Sequence, residues 1–143
     1  MIVLDSDHLS VLLDERDARC LPLFERLDKT EDVALPIVCI EEQLRGWLAQ
    51  IHRVNDPYRQ IAPYLRLKKT FTHLRDWPIV EWDELAADRF SDLRHLRNRI
   101  GSQDLRIACI ALANDALLLS ANLRDFEQVP GLRVKDWLGS AEL

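Results

Sequence analysis

The sequence predicts an α/β protein built on a small, mainly parallel sheet. Two observations carry this: short apolar runs alternate along the chain with longer amphipathic segments, and the stretch SQDLRIACIALAND is apolar on nearly every side. Alternation of that kind is the pattern of strands joined through crossover helices, and a helix without a polar face belongs inside a layered fold. At 143 residues the chain is the usual size of one domain, and neither a linker nor a repeat divides it, so residues 1–143 are read as a single domain.

The elements follow in order. IVL at residues 2–4 reads as a buried strand, running into DSDHLSVLL, where Leu9, Leu12 and Leu13 suit a helix capped by Ser6 or Asp7. CLPLFERLDK supplies a second helix, with Pro22 tolerated in its first turn, and DVALP a second strand. In IVCIEEQLRGWLAQIHRV the apolar residues Ile40, Leu44, Trp47, Leu48 and Ile51 recur at helical spacing, which assigns Trp47 and Leu48 to core packing; Pro57 ends the pattern. A further helix is expected from about Pro63 to Thr72. WPIVEWD gives a third strand centred on Ile79 and Val80, and DELAADRFSDLRHLRNRI one long amphipathic helix capped by Asp83. After the apolar helix, ALLLSAN is a fourth strand and LRVKDW a short last one, entered through the VPG turn.

Composition narrows the function. No run of 18 apolar residues occurs, and MIVLDSDHLS meets an acid before any basic segment, so neither a spanning helix nor a signal peptide is expected and a cytoplasmic location is. Cys20, Cys39 and Cys109 are odd in number and form no CxxC, as fits small core residues in a reducing compartment. The net charge of −5 hides a pattern: from Arg45 to Arg75 seven basic residues face one acid, and from Asp76 to Asp92 six acids face one arginine. An acidic protein so patterned still presents a basic patch. There is no HExxH, GxGxxG, GxxxxGK or GxSxG, and His8, His52, His73 and His95 are scattered, which argues against zinc hydrolysis, phosphate cradling by a glycine-rich loop and a serine nucleophile. For His8, a surface position or a supporting hydrogen bond is expected.

Acids mark the ends of the strands. In open parallel sheets the site lies beyond the strands' carboxyl ends. Asp5 follows the first strand, with Asp7 facing the same side if the extended path continues. Glu41 and Glu42 open the helix after the second strand, pointing about 100° apart. Asp104 opens the apolar helix, where it is either a site acid or a partner of the helix dipole, Ser102 being the alternative cap; Asn122 and Asp125 follow the fourth strand. Carboxylates about 4 Å apart repel by roughly 4 kcal/mol at an effective dielectric of 20, so such a group calls for a divalent cation, and hard oxygen donors suit Mg²⁺.

These residues resemble the PIN-domain ribonucleases, and within them the bacterial VapC-type toxins of toxin–antitoxin pairs, over nearly the whole chain. IVLDSDHLSVLL is similar to their opening LDTN.LS, which makes Asp5 the first catalytic acid. IVCIEEQLRG resembles T..EL..G, whose glutamate stands four residues before the glycine; that selects Glu42, anchored by Gly46, over Glu41, although Cys39 replaces the usual Thr and Gln43 the Leu. The segment from Gly101 to Trp137 is similar to G..D..IA..A......L.T.N..DF..VPGL...DW nearly position by position, with Asp104 as the third acid, Asn122 and Asp125 as the polar pair closing the cleft, Ser120 in place of Thr, and Ala121 where Arg or Asn is frequent.

The resemblance implies a three-layer α/β/α fold with four or five strands, dependence on Mg²⁺ or Mn²⁺, a homodimer and an inhibiting antitoxin. It implies metal-assisted hydrolysis of phosphodiester bonds in single-stranded or loop RNA. In this chain Asp5, Glu42 and Asp104 would hold the cation, Asp125 would add an outer carboxylate, and Asn122, Asp7 and Ser120 would complete the site. Arg45, Arg97, Arg99 and Arg106 are the candidates for phosphate contacts, beside a basic stretch suited to RNA. Two alternatives stay open: a non-catalytic RNA-binding or protein-interaction module on the same fold, and a DNA nuclease.

Overall fold

Strands β1 (Ile2–Leu4), β2 (Val33–Pro36), β3 (Ile79–Val80), β4 (Leu117–Leu119) and β5 (Arg133–Lys135) form one sheet in the order β3-β2-β1-β4-β5 in the computed structural model, which describes residues 1–139. Every pairing is parallel, with Ile2 opposite Val33 on one side and Leu117 on the other. Each run lies where the apolar sequence places it. Val3, Leu4, Leu35, Leu118 and Leu119 have no exposed surface, since central strands covered on both faces have no polar side to alternate with.

Helices α1 (Ser6–Leu13), α2 (Cys20–Asp28), α3 (Ile37–His52), α4 (Ile61–Leu74), α5 (Glu84–Asp92), α6 (Ser102–Ala113) and the short α7 (Leu123–Phe126) form the crossovers and cover both faces, a three-layer α/β/α arrangement. Helix α6 is the most deeply placed, with Leu105, Ile107, Ala108, Cys109, Ile110 and Ala111 all buried, as its all-round apolar sequence requires. Phe126 of α7 is 1% exposed and fastens the segment after β4 to the core. The VPG turn places Gly131 at φ 79°, a conformation that favours glycine. Among the described residues no helix is long and apolar enough to cross a membrane.

Several local expectations are corrected. The chain does not stay extended after β1: Asp5 itself caps α1, accepting the His8 amide, so neither Ser6 nor Asp7 is the cap. The helix expected over 83–100 ends at Asp92, and Arg94–Asn98 is a 3₁₀ turn. Phe90, Leu93 and Leu96 are spaced by three, which a helix of three residues per turn aligns as well as an α-helix does. Ser102 is the first residue of α6, and Gly101 stands at its cap position without a side-chain bond. Leu48 is 45% exposed, whereas Trp47 is partly buried and donates its indole N–H to Thr70 Oγ1 at 3.1 Å. Asp83 caps α5 as expected, accepting from the Ala86 amide at 2.9 Å.

Candidate active site

The strand order reverses at β1: its connection leads toward β2, while β4 arrives on the other flank. A crevice opens at the carboxyl ends of two strands whose connections diverge in this way. Asp5 stands at its base. Its backbone N–H donates to Leu119 O at 2.9 Å, one step beyond the β1–β4 ladder, and the residue is only 4% exposed. Oδ1 accepts the His8 backbone N–H at 2.8 Å and lies 3.0 Å from His8 Nδ1. His8 has no exposed surface, so the surface position expected for it is wrong and the supporting hydrogen bond is present.

At the end of β4 Ser120 is fully buried, and its hydroxyl accepts the Asn122 amide at 2.9 Å, clamping the turn that starts α7. Asn122 Nδ2 donates to Asp125 Oδ2 at 2.9 Å, so the two act as a pair. From the other side, Gln103 Nε2 donates to Val38 O and to Glu41 Oε2, both at 3.1 Å, and pins the start of α6 to the first turns of α3. That bridge sets Glu42 and Asp104, each next in sequence to a bridging residue, on adjoining helices. Glu41 is exposed and spent on Arg45 and Gln103, whereas Glu42 is half-buried and, among the described residues, has no hydrogen-bond or ion-pair partner.

Asp104 reports the field of the crevice. Its carboxyl is pushed above the ordinary range, first by burial and then by the negative charges of Glu42, Asp5, Asp125 and Asp7. Every expected acid thus acts on one carboxyl, including the exposed Asp7, which sits on the first turn of α1. Burial first, and then the charges of Glu42, Asp5 and Asp104, push the Cys39 thiol up, and its Sγ donates to Leu4 O at 3.5 Å. Among the described residues neither Asp104 nor Glu42 has a basic side chain as ion-pair partner. A half-buried group of hard oxygen donors with uncompensated charge fits a divalent cation. No three His, Cys, Asp or Glu groups among the described residues stand close enough to enclose an ion by themselves. The fit is to a cation held by one or two carboxylates and its own waters, as Mg²⁺ commonly is.

The arginines divide. Arg45 and Arg106 line one depression of about 380 Å³ between α3 and α6, with Trp82 and Gln103. Arg106 bonds to Ser102 Oγ and lies 4.6 Å from the Phe90 ring centroid, so it has a packing role there as well. Arg97 and Arg99 are exposed in and just after the 3₁₀ turn, and no contact ties them to that depression. The residue that sequence reasoning undervalued is His8; its spacing of three from Asp5 was the available signal, because a cap accepts from the amide two or three residues on.

A small parallel α/β/α sheet with carboxylates gathered where β1 and β4 end has the PIN-like topology. Solved structures share it: chains in VapBC2 from Rickettsia felis bound to a promoter DNA fragment (20% identity, TM-score 0.76, 96% of this chain and 99% of that one), in DNA-bound VapBC from Salmonella typhimurium (21%, 0.73, 96% and 99%) and in FitAcB from Neisseria gonorrhoeae (19%, 0.69, 95% and 97%). In sequence the chain is similar to a tRNA(fMet)-specific endonuclease VapC from Salmonella typhimurium, 28% identical over 83 residues, a match spanning 55% of this chain and 63% of that relative. No family model matches. The resemblance to PIN-domain ribonucleases carried by the motifs is thus borne out in the fold.

Proposed function

We propose that the chain is a divalent-metal-dependent endoribonuclease that hydrolyses RNA phosphodiester bonds and serves as the toxin of a toxin–antitoxin pair. The observation that carries the reading is the gathering of acids at the carboxyl edge of the sheet, with Asp5 at the end of β1, Asp125 just past β4, and Glu42 and Asp104 on the joined starts of α3 and α6, where burial first and the other acids second push the Asp104 carboxyl up. Asp5, Glu42 and Asp104 would hold Mg²⁺, one or two of them directly and the rest through its waters, with Mn²⁺ able to substitute, and Asp125, tied to Asn122, would be the fourth carboxylate. When bound, such a cation polarises a phosphate oxygen and lowers the pKa of a water. Arg45 and Arg106 bind flanking phosphates, and Ser120 keeps the turn that carries Asn122 in place. RNA as substrate is supported by the relative named for its action on tRNA(fMet), and a small antitoxin partner by the solved toxin–antitoxin proteins that share the fold. A homodimer belongs to the same reading.

Purified protein incubated with matched RNA and DNA in Mg²⁺ is expected to cleave RNA only, and to lose cleavage in excess EDTA or on Asp5→Asn. Cleavage that survives both would overturn the metal-dependent reading, and equal cleavage of DNA would overturn the substrate. The lack of a preformed three-ligand cluster among the described residues favours a second reading, a non-catalytic module on this fold. Failure of the wild type to bind Mn²⁺ by calorimetry would establish it.

A further inference from the structure

His8 is wholly enclosed, yet both ring nitrogens have partners. Nδ1 lies 3.0 Å from Asp5 Oδ1, and Nε2 lies 3.2 Å from the backbone nitrogen of Trp137, just beyond β5. A peptide N–H only donates, so Nε2 presents its lone pair and the ring proton sits on Nδ1, directed at Asp5. Asp136 offers Nε2 no alternative. Its Oδ1 is 3.7 Å away, beyond hydrogen-bond reach, and already accepts the amides of Leu138 at 2.7 Å and Gly139 at 3.2 Å.

The consequence falls on Asp5. Oδ1 receives two donors from one residue, the His8 amide and Nδ1–H, which fills its lone pairs. Oδ2 has no partner among the described residues and is not sealed from solvent. We propose that His8, held as its Nδ1–H tautomer by the Trp137 amide, is a positioning residue that occupies Asp5 Oδ1 and presents Oδ2 to the cation. This rests on the metal-site reading above. It assigns the segment after β5 a part in the site: the peptide of Trp137, whose ring carries Arg26 at 3.8 Å from its centroid, selects the tautomer. Outer groups that orient a ligand typically change metal affinity by about 10- to 100-fold when removed.

Nitrogen NMR of the wild-type imidazole tests the geometry without metal. A proton on Nδ1 with an unprotonated Nε2, the tautomer that free histidine disfavours, is expected; a proton on Nε2 would overturn the proposal. Mn²⁺ titrations of the folded variants test the role. His8→Asn keeps a donor near the Nδ1 position and is expected to bind within a few-fold of wild type, whereas His8→Leu loses about 10- to 100-fold. Equal affinity of His8→Leu and wild type, or equal losses in both variants, would overturn it. Should His8→Leu not fold, the nitrogen spectrum and the His8→Asn titration decide alone. A wild type that binds no Mn²⁺ would instead sink the metal-site reading, and the cation half of this proposal with it.

Discussion

At the scale of single residues, one carboxylate serves the fold and, in the proposed function, the chemistry. Asp5 ends a strand, caps a helix and carries charge, and the cap fixes its orientation before any cation arrives. Asp104 stores the cost. A carboxyl whose folded pKa lies above its unfolded one keeps its proton longer in the folded state, so stability falls as pH rises from the ordinary value of 3.8 through the raised one. Asp104→Asn is therefore expected to raise the unfolding midpoint of the metal-free protein at pH 7, with the gain vanishing below pH 3.8, where both states of the wild type are protonated. Thermal scans in EDTA across that range check it; an equal shift at every pH would mean that packing, not ionisation, is responsible. Asn122 and Asp125, the polar pair of the sequence motif, share a hydrogen bond, so the effects of substituting them are expected not to add.

At the scale of elements, helix α3 decides which of two adjacent glutamates faces the crevice. Glu41 is turned to Arg45 and Gln103, and Glu42 lies within the field of Asp104. Glu42→Gln is expected to lower Mn²⁺ affinity by about tenfold, worth roughly 1.4 kcal/mol, and Glu41→Gln to leave it unchanged; calorimetric titration of the two variants reads the register directly. The strands were legible in the sequence because buried parallel strands are short apolar runs with acids or prolines at their ends, as in IVLD and VALP. The start of α1 was misplaced by a residue because Asp5, Ser6 and Asp7 are all good caps, and only the backbone path separates them. Helix α7 has four residues, too few to leave a period, and the break after Asp92 hides behind apolar spacing that two helix types share. Of the candidate site, the nearness of the acids was legible, Asp5 and Asp125 from the strands they follow and Asp104 from the start of its helix, with Glu42 chosen over Glu41 by the motif; the burial of His8 was not, because the residues that enclose it include a segment 129 positions away.

At the scale of the whole molecule, charge is segregated. The basic residues of 45–75 lie on α3, α4 and the loops flanking α4, all exposed, while the acids of 76–92 follow around β3 and α5. Several of the cations are already paired, Arg45 with Glu41, Arg59 with Asp56 and Arg75 with Asp76. Arg45→Gln is expected to weaken RNA binding to a similar extent for every sequence and to reduce the slope of log affinity against log salt by about 0.7, one single-strand phosphate contact; binding isotherms at several salt concentrations measure it. The placement of β1 at the sheet's centre has one more consequence. Ile2 pairs on one side with Val33, made soon after it, but on the other with Leu117, made only after β2, β3 and helices α1 to α6 have followed. Long-range parallel pairing is slow to form because the connecting chain must be ordered first. A ribosome therefore carries no assembled crevice until β4 and the turn after it have emerged, and whatever chemistry the gathered acids support is absent from the nascent chain before that point.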